Sequence, residues 1–156
     1  MLTLRRPRAP LAEQAGGAPG RPVVLATMGV PFEPAAVELA VDTAVESGQP
    51  LVVVNVVEMI LTPQALLFGS SWELAGDDDA RALAETAQLA ASLGVRVERL
   101  RVCSPHPVDA LVEVAGERGA GLLVFGPDRS RLRARRYRRA AKAIRERVTC
   151  LVWLPE

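Results

Sequence analysis

At 156 residues, with 49% apolar but only 4% aromatic side chains, the chain is one domain with room for a sizeable aliphatic core. Two cysteines and one histidine exclude a disulfide framework, a histidine cluster and a structural zinc site, and no apolar run approaches the ~20 residues of a membrane span. The net charge is only +1, yet it is unevenly placed: nine arginines and one lysine stand between Arg129 and Arg147 against a single acid, Glu146.

Residues 1–21 mix Pro7, Pro10, Gly16, Gly17, Pro19 and Gly20 with alanines and arginines without any period, and are expected to form a flexible tail before a domain over 22–156. Arg5, Arg6 and Arg8 are followed by no apolar stretch, so the tail does not read as a secretory signal, and the expected location is cytoplasmic. Val23 to Thr27 is a β-branched run, the first strand. Pro34 to Ser47 places Val37, Ala40, Val41, Ala44 and Val45 at helical spacing and stops at Gly48. Leu51 to Val57 is a continuous apolar run, interrupted only by Asn55, as a strand covered on both faces requires.

The connection from Glu58 to Gly76 carries Ile60, Leu61, Leu66, Leu67, Phe68 and Trp72, so it must cover its own domain, a ligand crevice or a second subunit. Asp77, Asp78 and Asp79 open a helix lined by Ala80, Leu83, Ala84, Ala87 and Ala91 and ending at Gly94. Three acids at a helix start satisfy its free N–H groups and its dipole, which outweighs a metal-ligand reading. Val95 to Val102 alternates as a strand, and Val108, Leu111, Val112 and Ala115 mark the next helix. Between them, Ser104-Pro105-His106-Pro107 reads as a stiff turn rather than a nucleophile pair, because no Gly-x-Ser-x-Gly elbow surrounds the serine. Leu122 to Phe125 is a buried strand. Tyr137, Ala140, Ala141, Ile144 and Val148 give the arginine block an apolar stripe, and Cys150 to Leu154 is the last strand.

Strict alternation of strand and helix implies an α/β fold with a five-stranded parallel sheet covered on both faces. Ligands of such Rossmann-like sheets bind beyond the carboxyl ends of the strands, at the point where strand order reverses. The arginine block starts just past the fourth strand, beside that point. It reads in three ways: a solvated helix face in an arginine-biased chain (eighteen Arg to one Lys), a docking surface for an acidic protein partner or the acidic body of a sister subunit, or a phosphate surface. Nucleic acid is disfavoured, since Tyr137 is the only aromatic in the block and no helix-turn-helix accompanies it.

The order of four stretches resembles the universal stress protein family over roughly residues 22–155. Val24-Leu25-Ala26-Thr27-Met28-Gly29 resembles its first strand, which usually ends in Val-Asp-Gly-Ser. Val54-Asn55-Val56-Val57-Glu58 resembles its second-strand His-Val-Val-Glu. His106-Pro107-Val108-Asp109-Ala110-Leu111 resembles its Asp-Pro-x-x-x-Leu turn. Leu122-Leu123-Val124-Phe125-Gly126, with Val148-Thr149-Cys150-Leu151-Val152, resembles its last two strands. The resemblance implies strand order 3-2-1-4-5, an adenine-nucleotide-hydrolase-like fold, and a homodimer paired through the last strand, here Cys150, Leu151, Val152 and Trp153. On that order Cys103 and Cys150 lie four strand spacings apart, on the order of 19 Å, too far for an intrachain disulfide.

Many members of the family hold ATP through Gly-x-x-Gly, about nine residues, then Gly-Ser or Gly-Thr. Here Gly126 keeps the first position, Arg129 replaces the second glycine, and Arg138, Arg139 and Ala140 stand near the Gly-Ser position. Met28 replaces the first-strand Asp, and Val30 the Ser after Gly29. The chain therefore resembles the branch without the glycine loop. The residues that a ligand at this point would meet are Met28, Gly29, Gly126, Asp128, Arg129, Arg138 and Arg139. The expected function is a non-enzymatic, stress-associated binding or regulatory module with family-type ATP binding lost and no cofactor or metal. The alternative is a switch whose arginines hold ATP or another phosphorylated small molecule.

Overall fold

The computed structural model describes residues 20–59 and 77–156. The tail expected over 1–21 and the 58–76 connection lie outside the described residues, apart from Gly20, Arg21, Glu58 and Met59. In chain order the elements are β1 (Val23–Thr27), α1 (Pro34–Ser47), β2 (Leu51–Glu58), α2 (Asp77–Ser92), β3 (Val97–Ser104), α3 (Pro107–Glu117), β4 (Leu122–Phe125), α4 (Ala134–Arg147) and β5 (Leu151–Trp153). All five strands are parallel, in the order β3-β2-β1-β4-β5.

Strand side chains alternate between the faces, and each face has its own core. Val24, Ala26, Val52, Val54, Val56, Leu123 and Phe125 pack with Leu111 and Val114 of α3 and Tyr137, Ala140, Ala141 and Ile144 of α4. Val23, Leu25, Leu51, Val53 and Val124 pack with Ala36, Ala40, Val41 and Ala44 of α1 and Leu83 and Ala90 of α2. The uninterrupted apolar run of β2 thus has the cause read from the sequence: helices cover both sides of it. Pro34 begins α1 with its φ already set, and Gly48, at φ 67°, closes it by donating to the carbonyls of Ala44 and Val45.

β3 runs two residues later than its pattern suggests. Val95 donates back to the Ala90 carbonyl and closes α2, and pairing with β2 continues to Glu58 opposite Ser104. β5 is shorter than expected at three residues, because only Leu122, Leu123 and Val124 of β4 lie opposite it. The two sheet edges differ. β3 exposes Glu98, Arg99 and Arg101, charges that guard an edge, whereas β5 exposes Leu151, at 75%. Cys103 and Cys150 are free thiols at these opposite edges.

Gly126 lies where α1 crosses closest to the end of β4. A Cβ on it would come within 2.0 Å of the Ala36 Cβ. Gly126→Ala is therefore expected to lower the unfolding free energy by about 1–3 kcal/mol through overpacking. Denaturant titration checks this, and Ala36→Gly in the same chain should recover part of the loss. A neutral G126A would mean that α1 does not approach the strand this closely.

Candidate functional site

The strand order reverses between β1 and β4, and the loops that leave these two strands are tied to each other. Phe32 and Pro127 form an antiparallel bridge. The Glu33 N–H donates to the Gly126 carbonyl (2.9 Å) and the Asp128 N–H to the Pro31 carbonyl (2.8 Å). Inside the β1 loop, the Thr27 hydroxyl donates to the Val30 carbonyl at 2.7 Å. Gly29 takes φ 64°, a left-handed turn that glycine makes without strain. Its N–H donates to Asn55 Oδ1 at 2.9 Å.

Asn55 is buried in β2, and Asp79, on the first turn of α2, lies close enough for the Asn55 side chain to act on its carboxylate. Asp79 is itself buried. Loss of hydration raises its pKa above the ordinary carboxylate range, a shift that nearby Arg131 and Arg101 only partly oppose. Its neighbour Asp78 is exposed and pairs with Arg131 at 3.6 Å. The aspartates at the start of α2 thus serve different partners, and Asp79 faces inward rather than standing at the surface as a helix cap.

Past β4, Asp128 closes its own turn by accepting from the Ser130 N–H (2.9 Å) and the Ser130 hydroxyl (2.6 Å). Arg129 donates to the Glu156 carbonyl and lies over the Tyr137 ring, 5.0 Å from its centroid. Tyr137 is buried, stacks nearly parallel on Phe125 with centroids 5.9 Å apart, and donates its hydroxyl to the Pro155 carbonyl at 3.1 Å. Burial raises the pKa of that phenol. A cleft of about 590 Å³ opens here, and Glu33, Asp128 and Glu156 line it against one cation, Arg129. Such a wall repels an anion more than it attracts one.

The candidate ligand residues do not converge. Asp128 and Arg129 line the cleft. Met28 is buried in the same apolar cluster as Leu132 and Tyr137. The Gly126 N–H donates to the Ala26 carbonyl and its own carbonyl is taken by Glu33. Arg138 and Arg139 are exposed along α4. In the Ser104–His106 turn, the serine hydroxyl accepts the His106 backbone N–H at 3.1 Å, so it serves the turn.

Four of the nine arginines in the block are engaged locally, Arg129 with the Glu156 carbonyl and three in ion pairs. Arg136 pairs with Glu58, Arg147 with Asp109 and Arg131 with Asp78. Arg133, Arg135, Arg138, Arg139 and Arg145 make no ion pair among the described residues. α4 begins without a side-chain cap and has no acid in its first turn. Like charges at Arg135 and Arg139, and at Arg138 and Lys142, each destabilise a helix by about 0.2–0.5 kcal/mol.

A sequence profile described as the Universal stress protein family matches residues 20–154. The chain belongs to the universal stress protein family. A structure from the same family in Burkholderia pseudomallei aligns over 90% of this chain and 100% of its own, at 21% identity and a TM-score of 0.63. A universal stress protein solved in complex with cAMP is 25% identical, with 87% of this chain and 96% of that one covered and a TM-score of 0.56. One from Archaeoglobus fulgidus, solved with dAMP, is 17% identical over 86% of this chain and 96% of its own, with a TM-score of 0.58. No curated protein matched the chain.

Within this universal stress protein, the reading of sequence motifs missed the residues that organise the switch point: Asn55, Asp79, Leu132 and Tyr137. A signal for the first was present, since an Asn inside an apolar strand must find partners once buried. The Asn55–Asp79 contact generates a pH prediction. With the folded pKa of Asp79 raised, the native state binds more protons than the unfolded one. Stability should then fall as pH rises from the unfolded value, about 3.9, through the raised folded value. Asp79→Asn keeps the shape of the side chain and removes the charge. It should flatten that fall and raise stability at neutral pH, as read from urea midpoints across the acid-to-neutral range. An unchanged slope would show that Asp79 is not the group responsible.

Proposed function

We propose that this universal stress protein is a non-enzymatic, stress-associated binding and regulatory module, cytoplasmic and homodimeric, without the nucleotide site of its ATP-binding relatives. The observation that carries this reading is the closure of the switch point. The β1 and β4 loops bond to each other, the amides of Gly29 and Gly126 are already donated, and Met28 is buried in the same apolar cluster as Leu132 and Tyr137. A triphosphate held by backbone needs free N–H groups at a glycine turn. At both glycines this chain keeps, those groups point to protein acceptors. The alternative is a switch that holds ATP or another phosphorylated small molecule beside Arg129. In its favour, relatives of this fold were solved with cAMP and with dAMP. Against it stands the acidic lining of the cleft.

No helix among the described residues is long and apolar enough to cross a membrane. The homodimer reading draws on the family and on the unguarded β5 edge. Leu151 is its most exposed residue, while Cys150, Val152 and Trp153 are half-buried against the two cores. Leu151→Lys should convert a two-chain species into a single chain in light scattering at high salt. An unchanged mass of two chains would move the interface elsewhere.

The nucleotide reading is tested by thermal unfolding with ATP, AMP or cAMP. A ligand at about 100 times its dissociation constant stabilises the folded state by about 2.7 kcal/mol. For a domain of this size that raises the midpoint by roughly 5–10 °C. The proposal predicts a shift below about 1 °C, within what a non-binding additive produces. A shift of the larger size would restore the nucleotide switch as the function.

A further inference from the structure

Two helices on opposite faces of the sheet carry charge stripes that ion pairs among the described residues leave largely unbalanced. α1 presents Glu38, Asp42 and Glu46 on its exposed side, and no lysine or arginine occurs within it. These acids follow one another at i, i+4 and i+8, a stripe about 12 Å long. α4 presents Arg135, Arg138, Arg139 and Arg145 along about 15 Å of its exposed side, with Lys142 between them. None of the three acids or the four arginines makes an ion pair among the described residues.

α1 runs against its own dipole throughout, and α4 does so at its N-terminal end, although Arg145 and Arg147 suit its last turn. α4 has arginines in its first turn and no acid there, where a helix favours negative charge. α1 has no acid in its first turn and no base in its last, and Glu46 sits at the end where cations are favoured. Like charges at i, i+4 repel within both stripes. One contact relieves both helices at once: the acidic stripe laid against the basic one.

We propose that the α4 arginine face docks the α1 acidic face of a second copy of this chain. Three observations favour a second copy over other anions. The stripes match in length and are opposite in sign. The net charge of +1 leaves little repulsion between copies. An acidic protein or a nucleic acid would explain α4 alone and leave α1 unbalanced. Nucleic acid further lacks a stacking surface, since Tyr137 is buried beneath the helix. Val45, 45% exposed beside the acids, offers apolar contact to the arginine stems.

The contact joins two different surfaces, so it is heterologous and adds copies beyond a closed pair. It uses neither the β5 edge nor the switch point, and it stands whether or not a nucleotide binds. Between exposed charges it should be strong near 0.01 M salt, where the screening length is about 30 Å, and lost near 1 M, where it is about 3 Å.

Sedimentation velocity of the full chain tests it with charge reversal. At low salt the weight-average mass should rise with protein concentration beyond two chains, and high salt should abolish the rise. D42R/E46R and R138E/R139E should each weaken assembly by more than about tenfold, since like charges then face each other. Mixing the two variants should restore it, because the altered α1 of one then meets the altered α4 of the other with opposite sign, and the two unaltered faces meet as in the native chain. Circular dichroism confirms that both variants fold. The proposal is overturned if no concentration-dependent assembly occurs at low salt, or if the mixture stays dispersed. It is also overturned if R138E/R139E disrupts assembly while D42R/E46R leaves it intact, which would assign the arginines to a different anion. Nucleotide binding, measured separately on the same samples, does not enter these outcomes.

Discussion

The close approach of α1 to the end of β4 sets the geometry of everything at the switch point. Only a glycine at position 126 lets Ala36 come so near, and that approach brings Glu33 within hydrogen-bonding reach of the Gly126 carbonyl. Once that bond forms, Phe32 and Pro127 pair and the two loops become one short antiparallel ribbon. A glycine that looks like the remnant of a phosphate loop thereby acquires a packing role. Asn55 supports the ribbon, holding the left-handed turn at Gly29 with its amide oxygen.

On the far side of β4 the same closure continues through Tyr137. Its ring stacks on Phe125, its hydroxyl holds the Pro155 carbonyl, and Arg129 covers it while reaching Glu156. The arginine that occupies a family glycine position is thus tied to the end of the chain by an aromatic platform and a carbonyl. Arginine outside this knot is distributed differently. Part of the block balances acids on neighbouring elements, at Glu58, Asp78 and Asp109. The rest forms a stripe opposite in sign to that of α1, on the other face of the sheet.

Much of the fold was legible in the residues. Continuous apolar strands, helical spacing in 34–47 and the stop at Gly48 reflect burial on two faces and a left-handed cap, and both are local or nearly local effects. Strand order came from the family resemblance and agrees with the sheet observed. The edges of β3 and β5 were misplaced by one or two residues because pairing partners, not propensity, decide where strands end. The site was less legible. Nothing in the motif around Gly126 signals that Ala36 lies against it, and Asp79 turns inward beside Asn55, twenty-four positions earlier. Both are tertiary contacts between elements distant in the chain. Asn55 alone gave a warning, as a polar residue in a strand that had to be buried.

Amide hydrogen exchange followed by NMR, with and without ATP, tests the closed switch point most directly. If the β1 and β4 loops are joined as described, the amides of Gly29, Glu33 and Asp128 exchange slowly and their resonances do not move when ATP is added. Fast exchange at these amides, or ATP-induced shifts at Gly29 and Gly126, would show that the loops part to admit a nucleotide and would contradict the account.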